Sequence, residues 1–430
     1  MSRTPGSTGL AEGLKKLSFY NGQIAHIEHL PASPARHRPL SGPLPVPLAS
    51  YLTSRGIQLW SHQVDTIEAV RLGQDTILAT STGSGKTLAF NLPVFERLAT
   101  SPEATALYLY PMKALANDQL LVATEMERST GIKVGAAVYD GDTPQGRRGR
   151  TRATSRLVIT NPYGLHEYLP NHHLWERFFS HLSLVVVDEA HWYRGVFGSN
   201  VAMVLRRLRR VADNYGADPC FILASGTIAN PAEHAHALVG RAHRVLAGDG
   251  APHGSKDFVL WNPLANPARS PHLQAADLLA HFAATGHQAI CFTVSRRMAE
   301  LVARWAQEAV PARHIVAYRA GYQAADRREI EGGLRRGEID AVAATSALEL
   351  GIDIGRLDAV VMAGYPGTIC STWQQAGRAG RTQADSIATL VAFEDPLDQY
   401  LVSHPEELFG KPHEQAVVDL TNPRIPGLLV

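Results

Sequence analysis

Eight consecutive residues, Thr80-Ser81-Thr82-Gly83-Ser84-Gly85-Lys86-Thr87, combine two glycines, small hydroxyl side chains and a lysine. Glycines at 83 and 85 would let backbone N–H groups approach phosphate oxygens, and a helix opening there would add the partial positive charge of its N-terminus. Lys86 would reach the β and γ phosphates of a nucleoside triphosphate, and Thr87 would place its hydroxyl on Mg2+. The pattern departs from the general phosphate loop once, because Thr80 stands where its first glycine is usual. A second group, Asp188-Glu189-Ala190-His191, closes the apolar run Leu184-Val185-Val186-Val187. That end of a buried strand is where open α/β sheets bind ligands. Asp188 is the candidate metal ligand and Glu189 the candidate base for an attacking water. Two adjacent carboxylates are costly to keep ionised without a cation beside them. In the third group, Gln374-Gln375-Ala376-Gly377-Arg378-Ala379-Gly380-Arg381, arginines in a glycine-rich frame could neutralise charge on a transferring phosphate. In isolation that group reads equally well as a basic solvated turn.

Such residues need a scaffold of buried strands, and the chain supplies one. Short apolar runs recur at 76–79, 106–110, 157–159, 184–187 and 221–224, separated by amphipathic stretches. Runs of this length fit strands buried on both faces, as in a parallel sheet. The alternation resumes at 258–260, 289–292, 315–318, 341–344, 359–362 and 389–392. The fold expected is α/β, with two tandem domains of mainly parallel sheet. Residues 1–57 read as a loosely structured N-terminal extension with a short helix around Leu48 to Ser54, 58–247 as the first domain and 256–400 as the second. The glycine-rich stretch 248–255 reads as the linker, and 401–430 as the start of a truncated C-terminal region.

Composition narrows the class. The 430 residues are 45% hydrophobic and 19% charged, with 41 Lys+Arg against 40 Asp+Glu for a formal charge of +1. A disordered chain is excluded, and nucleic acid would have to be held by a local groove rather than a general positive field. No apolar run approaches a membrane span, and the N-terminus leads into no signal-peptide core. Cys220, Cys291 and Cys370 stand singly, the pattern of a reducing compartment, so a cytoplasmic protein is expected. The 19 histidines form no metal-ligand spacing; His234 and His236 point to different helix faces.

The three groups resemble motifs I, II and VI of the superfamily 2 DEAH-box helicases, and other motifs follow in order. Gln63 resembles the glutamine that reads adenine. Tyr110-Pro111-Met112-Lys113-Ala114-Leu115 is similar to motif Ia, and Thr160-Asn161-Pro162 to the next strand-contacting motif. Ser225-Gly226-Thr227 resembles motif III with glycine for alanine, and Ala344 to Gly355 resembles motif V. The resemblance implies ATP and Mg2+ held by Thr82, Gly83, Ser84, Gly85, Lys86, Thr87, Asp188 and Asp353. It implies Glu189 as base, Arg378 and Arg381 as charge stabilisers, and His191 and Gln374 as links between the nucleotide and the strand. Lys113, Thr160 and Thr345 would touch nucleic acid.

Tyr139 to Pro144, Tyr193 to Ser199 and His404 to Gly410 narrow the resemblance to the MrfA-type DNA-repair helicases. That branch implies movement on single-stranded DNA from three-prime to five-prime and a C-terminal domain with a four-cysteine zinc site; a sequence that stops at Val430 reads either as a truncation or as a core without that module. An RNA helicase shares most of the motifs, and an ATP-gated clamp that does not unwind would also carry them.

Two arginine clusters complete the reading. Arg147, Arg148, Arg150 and Arg152 read as either strand contacts or a solvated face; Arg206, Arg207, Arg209 and Arg210 read as a solvated helix face. Trp60, Trp192, Tyr193 and Tyr322 are candidates to stack bases, with core packing the competing role.

Overall fold

Short runs of β-branched and aliphatic residues with no polar face can satisfy their backbone only inside a covered sheet. In the computed structural model, which describes residues 9–349, 354–355, 357–380, 384–411 and 414–421, they do so. The strands are β1 (Ile24–Leu30), β2 (Thr76–Ala79), β3 (Thr105–Leu109), β4 (Ala137–Val138), β5 (Leu157–Thr160), β6 (Leu182–Val187) and β7 (Cys220–Ser225). They continue as β8 (Arg244–Leu246), β9 (Lys256–Trp261), β10 (Ala289–Thr293), β11 (Ile315–Tyr318), β12 (Ala341–Ala344), β13 (Ala359–Ala363) and β14 (Ser386–Val391).

One unit comprises Arg36–Ala251 and Gln415–Val430. Its strands are parallel and lie in the order β4-β5-β3-β6-β7-β2-β8. Large side chains fill its core, among them Trp175, Phe178, Phe179 and Phe221. Register brings Ala79 opposite Ser225 and Val187 opposite Leu109 and Leu223, so the residues that follow these strands emerge along one sheet end. The other unit comprises Met1–Ala35 and Pro252–Glu414. Its order is β1-β9-β14-β13-β10-β12-β11, parallel except for β1 at one edge. Its core is rich in alanine, with Ala275, Ala276, Ala283, Ala289, Ala306, Ala341 and Ala359 packed around Trp261.

The segments expected to be loose are folded into these units. Residues 24–30 form edge strand β1 antiparallel to β9, and Phe19 and Tyr20 pack edgewise on Trp261. Residues 36–57 join the other unit, where Val46–Ser54 is a helix. The helix agrees with the one expected there, whereas β1 was not expected, because it is largely half-buried and mixes histidine and glutamate with its apolar residues. The glycine-rich stretch 248–255 is likewise no free linker. Asp249 accepts from the Ser81 hydroxyl, the Gly250 N–H donates to His62 Nδ1 (3.1 Å), and the division between units falls after Ala251. Residues 416–419 lie against the first-described unit: the Gly195 N–H donates to Val417 O (2.8 Å), and Asn230 exchanges two hydrogen bonds with the Ala416 backbone. No helix among the described residues is long and apolar enough to cross a membrane.

Candidate active site

The phosphate loop follows β2 and opens the helix Lys86–Thr100. Gly83 and Gly85 have φ of 81° and 70°, in the left-handed region. At Gly85 a Cβ would also lie 2.7 Å from Gln63 Nε2 and 2.8 Å from the Trp60 ring, so the position is closed to other residues twice over. The threonine at the unusual position has a structural reason. Thr80 is buried, and its hydroxyl meets the Ser84 hydroxyl at 2.7 Å, tying the two ends of the loop together. Lys86 Nζ donates to the carbonyls of Thr80 (3.0 Å) and Ser81 (2.8 Å). Thr82 and Thr87 are half-buried.

Two residues brace this loop from behind. Gln63 is buried, donating to Gly85 O (3.2 Å) and accepting from the Trp60 N–H (3.0 Å). His62 meets Ser84 O through Nε2 (2.8 Å) and accepts from Gly250 through Nδ1, a pattern that assigns the proton to Nε2. Burial holds its pKa below the ordinary value and keeps the ring neutral. The sequence reading passed over His62, whose partners lie 22 and 188 residues away.

Asp188 and Glu189 follow β6. Glu189 has φ of 50°, the one non-glycine residue with positive φ among those described. Such strain persists where the surroundings impose it and clusters at functional sites. Here Asp188 Oδ1 accepts from the Glu189 N–H (2.8 Å), which turns the two carboxylates apart. Asp188 is buried, and burial, then the charge of Glu189, raises its pKa. Tyr110 and Tyr193 are wholly buried near both carboxylates, and neither hydroxyl has a hydrogen-bond partner. Both phenols are held in the protonated, donating form, chiefly by burial. A buried carboxylate with a half-buried one beside it, unpaired phenol donors and a glycine cradle with Lys86 and Thr87 form a donor set that fits a triphosphate with its divalent cation.

His191 lies within 3.6 Å of Glu189, but the contact is not an ion pair. Its Nδ1 accepts from the Gly226 N–H (3.1 Å), and burial pushes its pKa down to about 4, so the ring is neutral with its proton on Nε2. The ring therefore joins the acidic group to Ser225-Gly226-Thr227 after β7. His234 adds a second tie through Nε2 to Ala190 O (2.8 Å).

The second unit presents a different picture. Arg378 is 1% exposed, and its Nε and Nη2 both bind Glu349 O, at 3.1 Å for Nε. Gln375 Nε2 donates to the Glu349 carboxylate (2.9 Å), and Gln374 is buried beside it. The expectation of a basic solvated turn is corrected at Arg378, which is internal. Thr345 ends β12 half-buried. Asp353 and Arg381 lie outside the described residues.

Other expectations are corrected by burial. The Thr160 hydroxyl is 0% exposed and donates to Tyr139 O (2.7 Å), so it does not face a nucleic-acid strand. Tyr193 is buried and cannot stack a base. Arg206 and Arg209 are not a solvated face. Both donate to the last carbonyls of the helix Pro231–Val239, Arg206 to Ala237 O (2.8 Å) and Arg209 to Val239 O (2.8 Å). They complement that helix's negative end. Lys113 is half-exposed, in an ion pair with Asp142 at 2.8 Å.

Parallel sheets of this order, with a glycine cradle after β2 and an acidic pair after the central strand β6, define RecA-like units of the P-loop class. Comparison with known proteins makes the class specific. The DEAD/DEAH box helicase model matches residues 60–235, and the helicase conserved C-terminal domain matches residues 274–383. The chain belongs to the DEAD/DEAH box helicases. It is 42% identical over 413 residues to the uncharacterized ATP-dependent helicase YprA of Bacillus subtilis, covering 94% of this chain and 55% of that protein. It is 37% identical over 437 residues to the ATP-dependent helicase HRQ1 of Saccharomyces cerevisiae, covering 96% of this chain and 40% of that one. Crystal structures of the DUF1998 helicase MrfA bound to DNA, and to DNA and AMPPNP, superpose with TM-scores of 0.92 and identities of 41% and 40%. They cover 98% of this chain and 61% and 60% of those chains. The chain thus spans roughly half the length of its curated relatives.

Proposed function

We propose that this chain hydrolyses ATP with Mg2+ and uses the reaction to move along single-stranded DNA and separate it from its complement. The observation that carries the proposal is buried Asp188 followed by strained, half-buried Glu189 beside the Lys86 cradle. Bound ATP supplies the phosphoryl group, and Mg2+ the positive charge that favours ionised carboxylates. The backbone N–H groups of Gly83 to Lys86 hold phosphate oxygens, with Lys86 exchanging the carbonyls of Thr80 and Ser81 for them. Thr87 and Asp188 would hold the metal, and Gln63 would have to leave Gly85 O and the Trp60 N–H to read adenine. Glu189 orients water and takes its proton, with the unpartnered hydroxyls of Tyr110 and Tyr193 buried nearby. Neutral His191 passes the state of this site to Gly226. Arg381 stabilises the transferring charge, while Arg378 would have to leave Glu349 O to do so and otherwise positions the segment that Thr345 begins.

DNA as the strand is supported by the MrfA structures, whose names record DNA and AMPPNP, and by identity near 40% across nearly the whole chain. Three-prime to five-prime movement and a place in DNA repair belong to the proposal through the motif resemblance at Tyr139 to Pro144, Tyr193 to Ser199 and His404 to Gly410. The test is ATP turnover with no nucleic acid, single-stranded DNA, duplex DNA and single-stranded RNA at one fixed salt, since phosphate contacts are salt-dependent. Lys86→Ala is the blank. Stimulation by single-stranded DNA above the other arms is expected. Equal or greater stimulation by RNA would replace DNA in the proposal, and binding without turnover would make the chain a clamp.

A further inference from the structure

The same unit holds a second cavity, of about 710 Å3, where β3, β4 and β5 end. That volume lies within the roughly 300–1,000 Å3 of small-ligand sites. Its floor is aromatic and built: Tyr139 and Trp175 are each 3% exposed and meet at 4.6 Å, and the ring of Tyr168 stacks on Trp175 at 5.8 Å. Its basic wall is the helix Gln145–Thr154, which carries four arginines and no acidic residue. Arg148 lies over the Tyr139 ring and donates to Thr143 O (3.0 Å), while Arg152 donates to the Tyr139 hydroxyl (2.9 Å). These bonds pre-set two guanidinium groups at the rim.

At the mouth, Tyr163 is 70% exposed. It does not move freely, because one face stacks on Phe197 at 5.9 Å with 25° between the ring planes. Val196, beside Phe197, is 69% exposed. An aromatic ring fixed from one side and open on the other is the arrangement that stacks bases without regard to sequence. Asp140 and Glu167 also line the cavity, so it is not a simple anion trap. Asp140 turns its carboxylate onto the Asp142 N–H (2.9 Å). Mixed donors and acceptors around an aromatic floor suit a heterocyclic base better than a polyanion.

We propose that this cavity receives one unpaired nucleobase of the bound single strand, stacked on Tyr163, with a neighbouring phosphate on the arginine helix. The proposal rests on the reading above that the chain binds single-stranded DNA. It adds a base-stacking contact beside Lys113, which the motif resemblance expects to touch nucleic acid.

The test is anisotropy titration of a labelled oligothymidylate with the wild-type chain, Tyr163→Ala, Tyr163→Phe and Arg148→Ala, at one salt. Tyr163→Ala should bind about 5- to 100-fold more weakly, the range for losing one base–aromatic stack. Tyr163→Phe should bind like the wild type, and Arg148→Ala should weaken binding and flatten its salt dependence. A strand carrying 2-aminopurine should lose its stacking quench with Tyr163→Ala alone among the tyrosine variants. Wild-type affinity in Tyr163→Ala would overturn the inference, as would equal loss in the Ala and Phe variants, which would assign the contact to the hydroxyl. A wild-type chain that binds no single-stranded DNA would overturn the functional reading itself.

Discussion

One sheet carries two regions that answer opposite demands. Where β6, β7 and β2 end, the polar groups are buried and braced: Glu189 is strained, Asp188 is held away from its ordinary pKa, and His62, Gln63, Thr80 and His191 each bind backbone or a neighbouring hydroxyl. Where β4, β5 and β3 end, Tyr163 and Lys113 face solvent and the arginines are held at a rim. Hydrolysis needs charge fixed where water is scarce, because electrostatic stabilisation is strongest there. A strand that must slide needs contacts that are accessible and not sequence-specific. Placing both on one sheet end lets β3, which touches β5 on one side and β6 on the other, join them.

The braced region should break hardest. Asp188→Asn is expected to abolish Mg2+-dependent turnover and yet to raise the melting temperature of the nucleotide-free protein at pH 8. The sign follows from the raised pKa of Asp188. The folded state binds the proton more tightly than the unfolded state, so stability is present at low pH and is lost as pH rises through the folded value. Asparagine removes that loss, worth on the order of 1 kcal/mol. Calorimetry of both proteins from pH 5 to pH 8 checks it, and curves that run parallel would contradict it.

Gly85→Ala should come next. Alanine at φ of 70° costs about 1–2 kcal/mol, and its Cβ meets Gln63 and Trp60 besides. Urea melts and nucleotide-analogue binding should both worsen, whereas Gly73→Ala, at the same φ with open space around it, should show the backbone cost alone.

Lys113→Ala sharpens the open region with a smaller effect. Its ion pair with Asp142 is half-exposed, and such pairs add little to stability. Thermal stability should be unchanged, while the salt dependence of single-strand binding falls by about 0.7 in log–log slope, the value of one phosphate contact. An unchanged slope would remove Lys113 from the strand path.

Much of the braced region was legible in the sequence, because phosphate binding demands fixed residue types at fixed local spacing. The P-loop and the acidic group each sit within eight residues, and the strands before them read as unbroken apolar runs. What the sequence hid depends on distant partners. His62 looked like any other histidine until Ser84 and Gly250 met it. Thr80 looked like a defect until Ser84 explained it. Arg206 and Arg209 follow a solvated-face pattern, and only the end of the neighbouring helix shows why they turn inward. The open region was legible least. Tyr193 and Tyr163 are chemically alike, and a short segment of mixed polar and apolar residues does not reveal which ring the fold buries. Strand β1 escaped for a related reason, since an edge strand needs no continuous apolar run.

The most direct test of the account is Glu189→Gln, measured for ATP turnover and single-strand affinity in the same preparation. The account predicts turnover lower by about 10²- to 10⁴-fold, the contribution of a positioned general base, with single-strand affinity unchanged. Normal turnover in this variant would contradict the assignment of Glu189 and, with it, the division of labour along the sheet.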